Sequence, residues 1–386
     1  MLTKVLCAFG ALGAPGPAAV HADGHRRLRA FAQAEPSILR GGWNFSYVPG
    51  PAELPWLASL PIDGRACETA AEPTQVAMIK EALRLADQLR AAPATLPAAT
   101  VDDSSPLSHM VYCHGAANPG QPSGACRVEP IEPLNGFGRH PFAEVGCNLQ
   151  QRSTALAKES SIFDIDFMVL ASRCAEQPGR PAAPPSVHTG KNYFFDAGCS
   201  VYSRPRSSRQ SKAMMGSVRG ALGGSARGPS IPLFSDLYKA RCIEFDGIWA
   251  WEAHTFRPEK WWRNVPLEVR HKLHFFNIPI ESAGGASDVL DTIGQVARPE
   301  DFVVLKLDID TFEVERQVVE ELRTNARKTN ASSLVDEFFF EYHFLTPNEP
   351  HLHHYWMSSK RGGSIDDAVA LMHDLRAKGV RSHFWI

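Results

Sequence analysis

From residue 191 onward, short apolar runs alternate with stretches in which apolar residues recur at helical spacing. Tyr193 to Gly198 (YFFDAG) is an apolar run ending in Asp and Gly, and Ile231 to Ala240 has a helical period. Phe245 to Trp251 reads as an aromatic strand ending at Glu252, and Leu273 to Ile280 as the next strand. Ser287 to Ala297 places Leu290, Ile293, Gly294 and Ala297 on one helical face. Phe302 to Leu307 is apolar except for Lys306 and runs into Asp308-Ile309-Asp310. A helix is expected over Phe312 to Arg323, and a strand over Val335 to His343. Asp366 to Lys378 then reads as a helix stopped by Gly379, a favoured C-cap residue, and Ser382 to Ile386 as a closing strand. Such apolar strands, separated by helices, belong in a parallel sheet covered on both faces. The fold class predicted is α/β: a Rossmann-like, doubly wound, mostly parallel sheet over about residues 186–386, behind a Pro-rich N-terminal region.

The first half differs. Twenty of the 29 prolines precede residue 190, and Ala91 to Pro106 and Gln177 to Ser186 read as loops. One helix is expected over Pro73 to Ala91, where Val76, Ile79, Ala82, Leu83 and Ala86 share a face. The division expected is a signal peptide over 1–22, a loosely structured Pro-rich stretch over 23–105 and a small cap over 106–185. Lys4, the apolar stretch Val5 to Ala14 and the small-residue site Val20-His21-Ala22 carry the signal-peptide reading. Sequons at Asn44 and Asn330 agree with the secretory pathway; the cytoplasm is the alternative. A net charge of -2 and a pI near 6.7 leave no basic field for a nucleic-acid partner. No apolar run reaches the roughly 18 residues that would predict stable membrane insertion. Eight Cys without a C-x-x-C disfavour a zinc ribbon, and Cys113, Cys126 and Cys147 are candidates for a disulfide or for buried thiols.

Ligands of open α/β sheets bind outside the carboxyl ends of the strands. Those ends carry Asp196 and Gly198, then Glu252, then Asp308 and Asp310, then Glu341 and His343. Each acid has a structural use: Asp196 and Asp310 can cap the segments after them, and Glu341 can pair with Lys306. Acids at every strand end point instead to a site, since core strands rarely carry charge without a partner. Gly198 leaves room for close backbone approach, and Glu252 suits the vicinal hydroxyls of a ribose. Trp249, Trp251 and Phe256 can stack on a purine or fill the core.

Four runs, YFFDAGCS at Tyr193, FDGIWAWEA at Phe245, VVLKLDIDTFEVE at Val303 and EFFFEYH at Glu337, resemble the FkbM-like branch of class I S-adenosylmethionine-dependent methyltransferases. The run LRAKGVRSHFWI at Leu375 resembles the close of a eukaryotic methyltransferase-like group. The resemblance covers about residues 190–386. It implies S-adenosylmethionine as cofactor, with Asp196, Gly198 and Ser200 beside its methionine and ribose and Glu252 on the ribose hydroxyls. It places Asp308 and Lys306 at the methyl-transfer site, Glu341 next to them, and His343 as general base for the hydroxyl of a small-molecule or glycan acceptor. No metal ligand is assigned.

Two features depart from that pattern. Ser203 to Gly228 is a long insertion with Arg204, Arg206, Arg209, Lys212, Arg219 and Arg227 and no acid, suited to an anionic substrate or to a solvated loop. The glycine of the fourth-strand motif is replaced by Thr311. Alternatives remain: a UDP-sugar- and metal-dependent glycosyltransferase using Asp308 and Asp310, metal-assisted hydrolysis using His343, His351, His353 and His354, or an inactive binding relative.

Overall fold

Alternate residues of a strand face opposite sides of a sheet, so strands apolar at every position must be covered twice. The structure, a computed structural model, shows that arrangement. It describes residues 37–39, 43–54, 105–114, 126–134, 189–200, 202, 229–239, 241–281, 284–324, 331–343, 363 and 365–385, with part of 74–85. The second half runs β5 (Asn192–Ala197), α1 (Ser230–Lys239), β6 (Gly247–Trp251), α2 (Pro258–Trp262), α3 (Leu267–Arg270) and β7 (Leu273–Phe276). It continues through α4 (Val289–Val296), β8 (Phe302–Leu307), α5 (Phe312–Thr324), α6 (Ala331–Leu334), β9 (Glu337–Phe340), α7 (Ile365–Ala377) and β10 (Arg381–Phe384). These strands form one six-stranded sheet in the order β10-β9-β8-β5-β6-β7, and every pairing is parallel. Counted along the chain, that order is compatible with the Rossmann type.

Phe195, Val303, Leu305 and Phe338 pack with Leu290 and Ile293 of α4, Leu322 of α5 and Met372 of α7. Their neighbours Phe194, Val304 and Phe339 pack on the other face with Phe234 and Tyr238 of α1 and Trp261 of α2. Each fully buried Phe contributes roughly 1.5–3 kcal/mol, so the two apolar faces hold the layers together. Asp288 caps α4 by accepting from Leu290 N at 2.9 Å. Gly379, at φ 96°, closes α7 where an L side chain would be strained.

Four strands are shorter than expected: β6 begins at Gly247, β10 ends at Phe384, and β7 and β9 stop early. β7 stops at Phe276 because Asn277 turns back, its Nδ2 donating to the carbonyls of Glu252 (2.8 Å) and His254 (2.6 Å). β9 stops at Phe340, so Glu341 and His343 lie beyond the sheet. The described residues between Thr74 and Leu85 are helical, as the periodicity predicts.

The first half contains β1 (Ser37–Leu39), β2 (Trp43–Val48), β3 (Ser108–His114) and β4 (Cys126–Ile131), an antiparallel sheet in that order. It draws β1 and β2 from the 23–105 stretch and β3 and β4 from the 106–185 stretch. Cys113 is disulfide-bonded and stands opposite Cys126 in register; Cys242 is also disulfide-bonded.

A buried polar network joins this sheet to α7 and β10. Arg376 donates to Tyr47 Oη (3.0 Å), to the Glu132 carbonyl (2.7 Å) and to the Ser382 carbonyl (2.8 Å). Arg381 donates to the Pro130 carbonyl (3.0 Å) and lies 3.4 Å from Glu337 and 3.8 Å from Glu129. His383 faces Glu132 Oε1 at 2.5 Å through one nitrogen and Glu337 Oε1 at 2.9 Å through the other. No helix among the described residues is long and apolar enough to cross a membrane. The stretch 1–22, the basic insertion from Arg204 to Arg227, Cys147, Asn330, His351, His353 and His354 lie outside the described residues.

Candidate functional site

β5 and β8 lie side by side at the centre of the sheet, and the chain leaves them in opposite directions, β5 toward β6 and β8 toward β9. Such a switch point opens a crevice at the carboxyl ends. Gly198 begins the turn after β5 at φ 90°. A Cβ placed there would lie 1.6 Å from the Asp308 carbonyl oxygen, so only glycine lets the two strand ends close. Backbone bonds fix the junction: Gly198 N and Cys199 N both donate to the Trp251 carbonyl at 3.0 Å, and Asp308 N donates to the Ala197 carbonyl at 3.0 Å.

Lys306, pointing from the end of β8, is the hub. Its Nζ lies 2.9 Å from Asp308 Oδ2 and 3.4 Å from Asp196 Oδ1, and donates to the Gly198 carbonyl at 3.0 Å. The Trp385 ring lies 5.3 Å from Nζ, and its indole N–H donates to Asp308 Oδ2 at 2.8 Å. Burial opposes the charge on Lys306, but Asp308 and Asp196 outweigh it and raise its pKa above the usual lysine value. Burial likewise pushes Asp308 up, and Lys306 with hydrogen bonds from Glu341 and Trp385 more than reverses this, leaving it lowered. Asp196 is raised, because burial exceeds the opposing effects of Lys306 and the Ser230 hydroxyl that donates to it. Asp196 has no exposed surface and holds Lys306 and α1 from behind.

Glu252 extends from the end of β6 toward the β5 turn. Its Oε2 accepts from Ser200 N at 2.9 Å, and its Oε1 accepts from His254 N at 2.8 Å and faces His254 Nδ1 at 3.0 Å. Ser200 sits at φ 50° and is held by Trp261 Nε1, which donates to its carbonyl at 3.0 Å. A carboxylate offers about four acceptor positions, so Oε2 retains capacity for a further donor. The adjacent Cys199 is a free thiol, and burial pushes its pKa up.

A second group lies just past β8 and β9. Donor atoms of Asp310, Glu341 and His343 are within 4.8 Å of one another. Glu341 is 2 % exposed and hydrogen-bonds Asp308; burial first, then the charges of Asp308, Asp310 and Glu315, raises it well above the usual carboxylate range. His343 Nε2 lies 3.1 Å from Glu315 Oε2, while Glu315 Oε1 accepts from Ile309 N at 3.0 Å. Asp310 takes φ 53°, a left-handed position that Asp tolerates, so this turn is made one residue before Thr311. Asp308 stands outside this group.

Lys306, Asp196, Asp308, Gly198 and Ser200 converge on the switch point, with Glu252 beside it and Glu341 and His343 on the β9 side. Trp385, Ser230 and Glu315 were not anticipated as partners. Trp385 belongs to the segment after β10 and reaches Asp308 across the fold, so no local pattern marks it. Comparison with family models, with curated proteins and with solved structures gives no match.

Proposed function

We propose that this chain is an S-adenosylmethionine-dependent methyltransferase of the Rossmann-like, class I type, transferring a methyl group to a hydroxyl of a small-molecule or glycan acceptor. The observation that carries the reading is Glu252, an anchored carboxylate at the end of the strand beside the switch point, where dinucleotide-binding sheets hold ribose hydroxyls. The donor set fits: Glu252 and Asp308 bring two anchored carboxylates to the crevice, and S-adenosylmethionine carries a sulfonium and an ammonium charge.

When bound, that cofactor supplies an electrophilic methyl group. The chain's own residues do the rest. Glu252 accepts from the ribose hydroxyls through the capacity left on Oε2. Asp308, its side chain 25 % exposed and fixed by Lys306 and Trp385, orients the acceptor hydroxyl by accepting its proton in a hydrogen bond. Such alignment is the main requirement of a one-step transfer between two bound groups. Disulfide bonds at Cys113 and Cys242 support an oxidising, secretory location.

Calorimetric titration of the full chain with S-adenosylmethionine tests the reading. Saturable binding is expected, weakened at least tenfold in Glu252→Ala, equivalent to about 1.4 kcal/mol. Folded protein that takes up no S-adenosylmethionine refutes it.

A further inference from the structure

The group beyond β9 has a composition that the methyl-transfer reading leaves unused. Asp310, Glu341 and His343 bring two carboxylates and an imidazole to one point, their donor atoms within 4.8 Å. Two ligands bound to one ion at about 2.1 Å each stand at most about 4.2 Å apart, so a small closure completes the geometry. The observation that separates this group from an ordinary acidic cluster is Glu341 Oε2, which is buried and meets no hydrogen-bond donor, the side chain's hydrogen bond being to the Asp308 carboxylate alone. A buried carboxylate oxygen left so is costly unless a ligand meets it. His343 Nε2 lies at ion-pair distance, 3.1 Å, from Glu315 Oε2, which places a carboxylate beside the ring without hydrogen-bond geometry between the two atoms. Asp310 is exposed, so one side of the group opens to solvent.

We infer that Asp310, Glu341 and His343 form a binding site for one divalent transition-metal ion, with an open coordination position facing the crevice. The imidazole donor selects ions of the Mn²⁺ to Zn²⁺ series over Ca²⁺ and Mg²⁺, which prefer oxygen ligands alone. Glu315 is a positioning residue, held by Ile309 N on one oxygen and turned to His343 with the other. The three ligands come from the ends of two adjacent strands, so the ion would tie the β8 and β9 loops together beside Asp308. An ion there gives His343 a ligand's part in place of the general base's part expected from sequence. A substrate oxygen in the open position would be acidified by the ion.

The test uses the metal alone, so its outcome is independent of S-adenosylmethionine. Purified full chain is stripped with chelator and titrated with Co²⁺, followed by visible absorption, and with Mn²⁺, followed by loss of the free-ion paramagnetic resonance signal. One equivalent is expected to bind. Asp310→Asn and His343→Gln each should weaken it at least tenfold, while Glu313→Gln, an exposed acid on α5, leaves it unchanged. Because Asp310 is exposed, its variant retains the fold, and circular dichroism checks this. The Co²⁺ spectrum of wild type should show nitrogen coordination that His343→Gln lacks. Absence of saturable binding of either ion by folded wild type, or binding that is indifferent to Asp310→Asn and His343→Gln, overturns the proposal.

Discussion

At the scale of single residues, the site is organised by one buried charge. Lys306 touches Asp196, Asp308 and the Gly198 carbonyl, so removing it leaves two carboxylates facing each other with no cation between. Lys306→Met should cost about 3–5 kcal/mol, the usual range for breaking a buried pair from one side. Adding Asp196→Asn should recover a large part, because the residual cost lies in the unpaired acid. Urea denaturation of the two variants checks both statements. That Lys306 needs an acid was legible in the sequence, because a charge inside an apolar strand demands a partner, but the partner expected was Glu341; the ion pairs go instead to Asp308, just past β8, and to Asp196 on the adjacent β5. Ser230 and Trp385 were not legible: each reaches its acid across the fold, 34 and 77 positions away, and no local pattern encodes such a pairing. Glu315 reads locally as one more polar position on α5; only the fold reveals that it turns inward to Ile309 and His343.

Among the elements, the turn from β5 is the most constrained. Gly198 combines φ 90° with a carbonyl 1.6 Å from where a Cβ would sit. Gly198→Ala should therefore push the β5 and β8 ends apart, lowering stability by about 2 kcal/mol or more. It should also reduce ligand binding at Glu252 by more than the folded fraction accounts for, since Ser200 N moves with the turn; thermal melts and calorimetry on one preparation separate the two effects. Sequence periodicity found β5, β6, β8, α4, α5 and α7 because each has an apolar face or run that burial requires. It overextended β7 and β9, where apolar residues continue past the last ladder bond into turns held by Asn277 and by the Gly363 N bond to the His343 carbonyl. β4 was hidden by Pro130, which argues against a strand, and by Arg127 and Glu129, which break the apolar rhythm. Glu129 is nonetheless buried, because Arg381 lies beside it.

For the whole molecule, the joint between the two sheets is electrostatic. Both nitrogens of His383 face carboxylates, and an imidazole can donate from both only when protonated. Burial works against that charge, but Glu132 and Glu337 outweigh it and raise the His383 pKa. Glu132 is pushed up by burial and pulled down further by His383 and Arg376, to about 2. The signs then follow. The contribution of His383 is complete below its unfolded value of about 6.5 and is lost as pH rises through its higher folded value. That of Glu132 is complete above its unfolded value of about 4.3 and is lost as pH falls toward 2. Stability at this joint should be greatest between about pH 4.5 and 6.5. Thermal melts across pH 4 to 9 should show an alkaline-side decline that His383→Gln removes; identical profiles would exclude the protonated joint. Sequence reading anticipated a small unit before the parallel sheet but not its attachment, because Tyr47 and Glu132 meet residues that lie hundreds of positions further on.

That separation has a consequence for how the protein is made. Tyr47 and its partner Arg376 are 329 residues apart. At a synthesis rate of about 5–20 residues per second, the nascent chain completes its first sheet at Ile131 and then carries it for roughly 12–50 s before the guanidinium that docks it has been made. Docking of the antiparallel sheet is thus among the last events of folding, and during that interval the face of β2 awaiting α7 is open to whatever else is near the ribosome.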